Sequence, residues 1–159
     1  MVVGASADVA KPGGEVLKNL LNSNFKGEVY AVNPKEDEVQ GVKCYKKVED
    51  LPQVDCAIMA IAAKFCPSTV DVLAKEKGTK GYIILSAGFS EENAEGAAIE
   101  KHIVDTVNSV GGTLIGPNCT GFLNTNYCGA FDAPIPTLDP HGVDFITGSG
   151  ATAVFIKEY

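Results

Sequence analysis

The stretch Val2-Val3-Gly4-Ala5-Ser6, running on through residues 7–10 into Lys11-Pro12-Gly13-Gly14, decides the fold. An apolar run breaks at a glycine, crosses a loop of small residues holding one lysine, and enters a helix near Gly14. This is the form of the first turn of a nucleotide-binding α/β unit. Glycines let the backbone approach a ligand, a helix start presents unpaired N–H groups and a positive dipole end, and Lys11 adds a full charge. The spacing departs from the usual dinucleotide fingerprint, because Gly4 is followed by Ser6 and the next glycines stand at Gly13 and Gly14. Taken alone, the stretch fits a tight structural turn as well as it fits a phosphate loop.

Outward from that turn, strand and helix alternate. Residues 15–24 place Val16, Leu17, Leu20 and Leu21 on one helical face, and Gly27 ends the turn before a strand at 29–32. A short extra strand is expected at 42–45, a helical turn at 48–51, and at 54–61 a continuous apolar strand of the kind buried on both faces of a parallel sheet. Pro67 and Gly78 bracket a second helix with Val70, Leu73 and Ala74 inward, and 82–85 is the next strand. A third helix is expected at 91–110, capped by Ser90, with Glu91 and Glu92 in its first turn and Ile99, Ile103, Val107 and Val110 as its apolar stripe. The series closes with a strand at 113–115. Units of this length predict an α/β fold, a Rossmann-like doubly wound parallel sheet with ligands at the carboxyl ends of its strands.

Beyond that sheet, 142–147 reads as a strand and 150–159 as a helix, the beginning of a second α/β domain. The expected division is 1–136 and 137–159. Both ends of the sequence read as interruptions inside an element. The tail is too short to bury a core of its own and is expected to pack on the first domain or on another copy of the chain.

A chain of 159 residues with 45% hydrophobic content suits one domain of ordinary size and suffices for a buried core. Its longest apolar runs are strand-length, so no bilayer span is expected, and no basic-apolar-small leader opens it. The formal charge of -7 argues against a nucleic-acid partner, since phosphate backbones need a basic face. Five cysteines without a C-x-x-C pair fit reduced thiols in a cytoplasmic setting better than disulfides or a zinc site.

The residues just after the expected strands are Gly4-Ala5-Ser6, Asn33-Pro34-Lys35, Ala62-Ala63-Lys64, Ser86-Ala87-Gly88-Phe89 and Gly116-Pro117-Asn118-Cys119-Thr120-Gly121. Small, hydroxyl and lysine residues converge on one edge. The second group is decisive, because a domain binding NAD places an acidic side chain there to take the ribose hydroxyls. This chain offers Asn33 and Lys35, and a cation there favours a ligand with an additional phosphate near its ribose.

The series Val-Val-Gly-Ala-Ser, Lys-x-Gly, Val-Leu-Lys-Asn-Leu-Leu, Phe-Lys-Gly-x-Val-Tyr-x-Val-Asn-Pro-Lys, Ala-Lys-Phe, Ser-Ala-Gly-Phe and Gly-Pro-Asn-Cys-x-Gly resembles the amino-terminal CoA-binding domain of the NDP-forming acyl-CoA synthetases, relatives of the succinyl-CoA synthetase alpha subunit. The resemblance implies an enzyme that joins a carboxylic acid to coenzyme A using a nucleoside triphosphate, reversibly, through an acyl phosphate and a phosphohistidine. It assigns Gly4, Ala5, Ser6 and Lys11 to the loop around the CoA phosphates, and Asn33, Pro34 and Lys35 to the adenosine end. Ala63, Lys64 and Phe65 match the third-edge motif, although Ile61-Ala62 stands where the family has Val-Pro. Ser86, Ala87, Gly88 and Asn118 would line the pantetheine path. Thr147-Gly148-Ser149-Gly150 matches the start of the family's second domain, with Gly148 in place of a glutamine. The catalytic histidine would lie beyond Tyr159, leaving this chain no catalytic residue, and the remaining ligase domains or a nucleotide-binding subunit would be its partners.

Plainer readings stand beside these. Asn33-Pro34-Lys35 also reads as a turn with a solvated lysine, and Lys11 and Lys64 as surface lysines. Cys119 has no histidine partner and reads as a small buried thiol. His102 lies at a helix rim and His141 in a loop. Two other classes compete: a CoA-sensing regulatory module without ligase activity, and an NAD(P)-binding oxidoreductase domain, which the missing acid after the second strand disfavours.

Overall fold

In the computed structural model, which describes residues 1–158, the apolar runs become strands whose successive side chains enter two separate cores. The order is β1 (Val2–Val3), α1 (Pro12–Asn22), β2 (Ala31–Val32), β3 (Glu38–Val39), β4 (Val42–Tyr45), β5 (Cys56–Met59), α2 (Cys66–Glu76), β6 (Gly81–Ile84), α3 (Ala94–Ser109), β7 (Thr113–Ile115), β8 (Gly121–Asn124), β9 (Tyr127–Ala130) and α4 (Gly150–Glu158). The main sheet runs β3-β4-β2-β1-β5-β6-β7. All its pairings are parallel except β3 with β4. From β1 the chain winds outward to β2 and β4, then returns to β5 on β1's other side. This reversal is the switch point at which doubly wound sheets open a crevice for ligands.

The two-residue period explains the continuous apolar runs. Val2, Ile58 and Ile83 face α1, where Val16, Leu17 and Leu20 cover them. Val3, Ala57, Met59, Tyr82 and Ile84 face the other way, against Val70 and Leu73 of α2 and Ile103 and Val107 of α3. A strand covered on both faces has no solvent side on which to place polar residues. Among the described residues, no helix is long and apolar enough to cross a membrane.

Several boundaries differ from the sequence expectation. Helix α1 starts at Pro12, whose fixed φ and missing N–H suit the first helical position, and Leu21 lies on the exposed margin of its stripe. Helix α3 starts at Ala94, not Glu91. Its cap is Asn93, whose Oδ1 accepts from the Gly96 amide at 2.9 Å, and not Ser90. Glu91 and Glu92 therefore precede the helix. The strands β2 and β5 are shorter than their apolar runs, because the ladder extends only where a neighbour is in register.

Residues 142–147 form no strand. Asp139 turns the chain there, accepting from the His141 amide at 2.8 Å, and among the described residues no neighbouring strand offers a ladder. Val143 and Ile146 are each 97% exposed, so of the two packings expected for the tail, on the first domain or on another copy of the chain, these two side chains do not make the first. The expected helix at the end is present as α4, and Tyr159 lies outside the described residues.

Candidate binding site at the strand edge

The turn from β1 into α1 is built by backbone contact. Gly4 has φ +85°, and a Cβ there would collide with the Ala60 carbonyl at the end of β5. A Cβ on Gly13 would fall on the Gly4 carbonyl oxygen, so the helix start rests directly on the strand end. The Gly4 and Ala5 amides both donate to Val32 O, at 3.0 and 3.2 Å. Ser6 Oγ accepts from the Asp8 amide at 3.1 Å, and Asp8 Oδ1 accepts from the Ala10 amide at 3.0 Å. Lys11 Nζ lies 3.9 Å from Asp8 Oδ2, with both side chains exposed. Among the described residues no side chain caps α1, so its positive end faces this loop, with Glu15 in the first turn and Asp8 in the loop as the acidic groups nearby.

The edge after β2 is tied to the same loop. Asn33 Nδ2 donates to Ala5 O at 2.7 Å, while Asn33 Oδ1 accepts from the Lys35 and Glu36 amides at 2.8 and 3.3 Å. Asn33 therefore acts as a brace, and it presents Pro34 and Lys35 to solvent. Nearby cations are engaged. Lys46 Nζ pairs with Asp37 at 2.7 Å, donates to Glu36 O at 2.8 Å, and holds the Asp37 carboxyl below the usual carboxylate range. Lys43 sits over the Tyr45 ring. Among the described residues, Lys35 makes no ion pair.

A residue that sequence reasoning missed completes this part. Gln40, at the β3–β4 turn, donates from Nε2 to Ser6 O at 2.9 Å and to Gly14 O at 2.8 Å. A glutamine alone carries no signal. The visible clue is its place before Gly41, where a two-residue hairpin turn favours asparagine.

Along the remaining edges, side chains and one backbone amide make the connections. Ala63–Phe65 form one 3₁₀ turn leading into α2, with Ala63 buried and Lys64 Nζ 5.0 Å from the centroid of the exposed Phe65 ring. Ser86 Oγ donates to Ile61 O at 2.6 Å, joining the ends of β5 and β6. Asn118, at φ +52°, donates its amide to Ser86 O at 2.9 Å, joining β6 to β7. Gly88 stands against Ala63, where an added Cβ would lie 3.3 Å from Ala63 Cβ. Glu91 accepts from the Gly88 and Phe89 amides at 2.8 and 3.2 Å, and these bonds hold its carboxyl below the usual range. Ala87 is exposed beside them. Cys119 donates to Ile84 O at 3.3 Å, and burial pushes its thiol up.

The fold therefore brings Gly4, Ala5, Ser6, Asn33, Lys35, Ala63, Ser86, Gly88 and Asn118 to the carboxyl edge of one sheet. The histidines are engaged elsewhere. His102 Nε2 lies 3.1 Å from Asp71 Oδ2 between α3 and α2, and His141 lies 3.2 Å from Asp139 in the tail.

Comparison with known proteins adds a family to this geometry. A family model described as a CoA binding domain matches residues 1–125. The alpha subunit of ADP-forming acetate–CoA ligase II from Pyrococcus furiosus is 45% identical over 152 residues, covering 94% of this chain and 32% of that protein. A crystal structure from Pyrococcus horikoshii OT3 matches with a TM-score of 0.86 and 42% identity, covering 99% of this chain and 36% of the other. The dinucleotide forming acetyl-coenzyme A synthetase 1 of Ca. Korarchaeum cryptofilum, solved with phosphate and ADP, gives a TM-score of 0.80 at 32% identity, covering 99% and 34%. The chain thus spans about a third of the length of these relatives.

Proposed function

The chain belongs to the CoA-binding domain family, and from that premise we propose that it is the CoA-holding portion of an NDP-forming acyl-CoA synthetase. The whole enzyme joins a carboxylic acid to CoA with cleavage of a nucleoside triphosphate to the diphosphate and phosphate, and it runs in both directions. Residues 1–136 form the CoA-binding domain and residues 137–159 open a succinyl-CoA ligase-like domain. The partners are CoA or acyl-CoA and the remaining ligase domains or a nucleotide-binding subunit, and the setting is cytoplasmic. No residue of this chain is given a catalytic role. The chain by itself binds and does not turn over.

The observation that carries the reading is the pairing of an uncapped helix start with a lysine where an acid would select NAD. The open end of α1 and the Gly4–Ser6 turn suit a pyrophosphate. Lys11, now 3.9 Å from Asp8, is close enough to exchange that exposed contact for a phosphate. Lys35, free of any carboxylate among the described residues, suits the ribose 3′-phosphate that CoA has and NAD lacks. Pro34 and Asn33 shape the adenosine end. Ala63, Lys64, Phe65, Ser86, Ala87, Gly88 and Asn118 line the way of the pantetheine arm.

Calorimetric titration of the chain with CoA, dephospho-CoA and NAD at fixed, moderate salt tests this. A charge-assisted contact of roughly 1.5 to 3 kcal/mol makes dephospho-CoA bind roughly 10- to 150-fold more weakly than CoA at about 1.4 kcal/mol per decade. Lys35→Ala is expected to lose CoA affinity by the same factor and to stop distinguishing the two ligands. NAD binding as tightly as CoA, or Lys35→Ala keeping the preference, would sink the reading.

A further inference from the structure

The hairpin β3–β4 has a two-residue turn, because Val39 pairs with Val42 and Gln40 and Gly41 both have positive φ, +52° and +80°. Positive φ at both central residues is the type I′ pattern, which favours asparagine, aspartate or glycine at the first position. Glutamine is a poor occupant. Its left-handed backbone is disfavoured, and its longer side chain gives no local turn bond in return. Residues held in such conformations persist where their surroundings fix them.

The length of the side chain explains the choice. Gln40 Nε2 reaches across the edge of the sheet to Ser6 O and Gly14 O, at 2.9 and 2.8 Å. One of these carbonyls belongs to the loop after β1, the other to the first turn of α1, and a single amide nitrogen fixes their separation. An asparagine would suit the turn but is one methylene, about 1.5 Å, too short to make both bonds. Turn chemistry and reach conflict at this position, and the protein keeps reach.

We infer that Gln40 is a positioning residue for the phosphate loop: from a separate antiparallel hairpin it locks the Ser6 loop to the start of α1 in the shape that receives a pyrophosphate. The inference rests on the reading above that CoA places its pyrophosphate at this turn. The side-chain hydrogen bonds of Gln40 go to backbone carbonyls, and it is assigned no contact with the ligand. Its effect is preorganisation, so that the loop is already ordered when the phosphates arrive.

Stability and binding are therefore expected to move separately in Gln40→Asn and Gln40→Gly. Either replacement relieves the strained turn, so the thermal midpoint should stay level or rise. Affinity for CoA should fall roughly 5-fold, the factor given by about 1 kcal/mol of lost loop order at about 1.4 kcal/mol per decade. Dephospho-CoA should weaken by the same factor, because both ligands carry the pyrophosphate, so their ratio is preserved, in contrast to Lys35→Ala. Calorimetry on the full chain with these two ligands, beside a thermal melt, reads all three quantities. Unchanged CoA affinity in both variants overturns the inference, as does a parallel drop of midpoint and affinity, which marks a purely structural role. If the unsubstituted chain fails to bind CoA, the reading of the site itself is wrong, a distinct outcome.

Discussion

At the β1–α1 turn Gly4 and Gly13 are pressed backbone to backbone, whereas at the ends of β6 and β7 the loops are joined by hydrogen bonds to carbonyls from the Ser86 and Cys119 side chains and from the Asn118 backbone amide. The first arrangement spends no side chain; with Pro12 lacking an N–H and the Gly14 and Glu15 amides donating to Lys11 O, the Gly13 amide is the one at this helix start left for a ligand among the described residues. This arrangement also admits no side chain. The second arrangement uses polar groups internally and tolerates small changes, because a hydrogen bond can lengthen while two overlapping atoms cannot. Phosphate recognition and passage of a flexible arm call for those two kinds of wall.

Gly13→Ala is the severest way to break the contrast. Helix propensity alone would make the variant more stable by about 1 kcal/mol. The collision with Gly4 O should overrule this and destabilise the fold by about 3 kcal/mol, read as an earlier urea midpoint. A more stable variant would show that the turn is not welded. On the other side of the edge, Ser86→Ala removes the 2.6 Å bond to Ile61 O and should lower stability by only about 1 kcal/mol, with the urea slope unchanged. Equal losses in the two variants would erase the distinction.

The smallest effect is local and depends on pH. Glu91 has a lowered carboxyl pKa because the Gly88 amide, then its own and that of Phe89, favour the ionised form. A depressed folded-state value means that the clamp contributes fully above the ordinary glutamate range and is lost as pH falls through the folded value. Protection of the Gly88 and Phe89 amides, relative to their intrinsic exchange rates, should therefore hold down to the ordinary glutamate pKa of about 4.3 and be lost at some pH below it. In Glu91→Gln the same amides should show no such acid step. Loss of protection at a higher pH would contradict the assignment.

Much of the sheet was legible because Ala57-Ile58-Met59 and Tyr82-Ile83-Ile84 must be buried on both sides, which only a covered parallel sheet allows. The edge residues followed from the strand ends. The start of α3 was misread because Ser90 and Asn93 are both good caps, and what selects Asn93 is Glu91 turning back to the Gly88 and Phe89 amides, a three-dimensional choice. β3 is two residues long and too short to carry a period. Residues 142–147 read as a strand, but a strand requires a partner and this segment has none among the described residues. Gln40 was invisible because its importance lies in what it reaches, Ser6 and Gly14, both distant in sequence.

The orientation of Cys119 bears on redox chemistry. On the proposed reading, this edge receives a ligand that is itself a thiol, and any protein thiolate beside it is a candidate for a mixed disulfide. Exchange proceeds by thiolate attack on a disulfide sulfur, at a rate that follows the thiolate fraction and access. Cys119 turns its hydrogen toward Ile84 O, and burial keeps it protonated. The same protection extends to Cys66, whose thiol burial pushes up to about 12. On that reading, a disulfide arriving at the edge meets the Cys119 and Cys66 thiols with their thiolate fraction lowered by burial, which slows exchange with a thiol ligand.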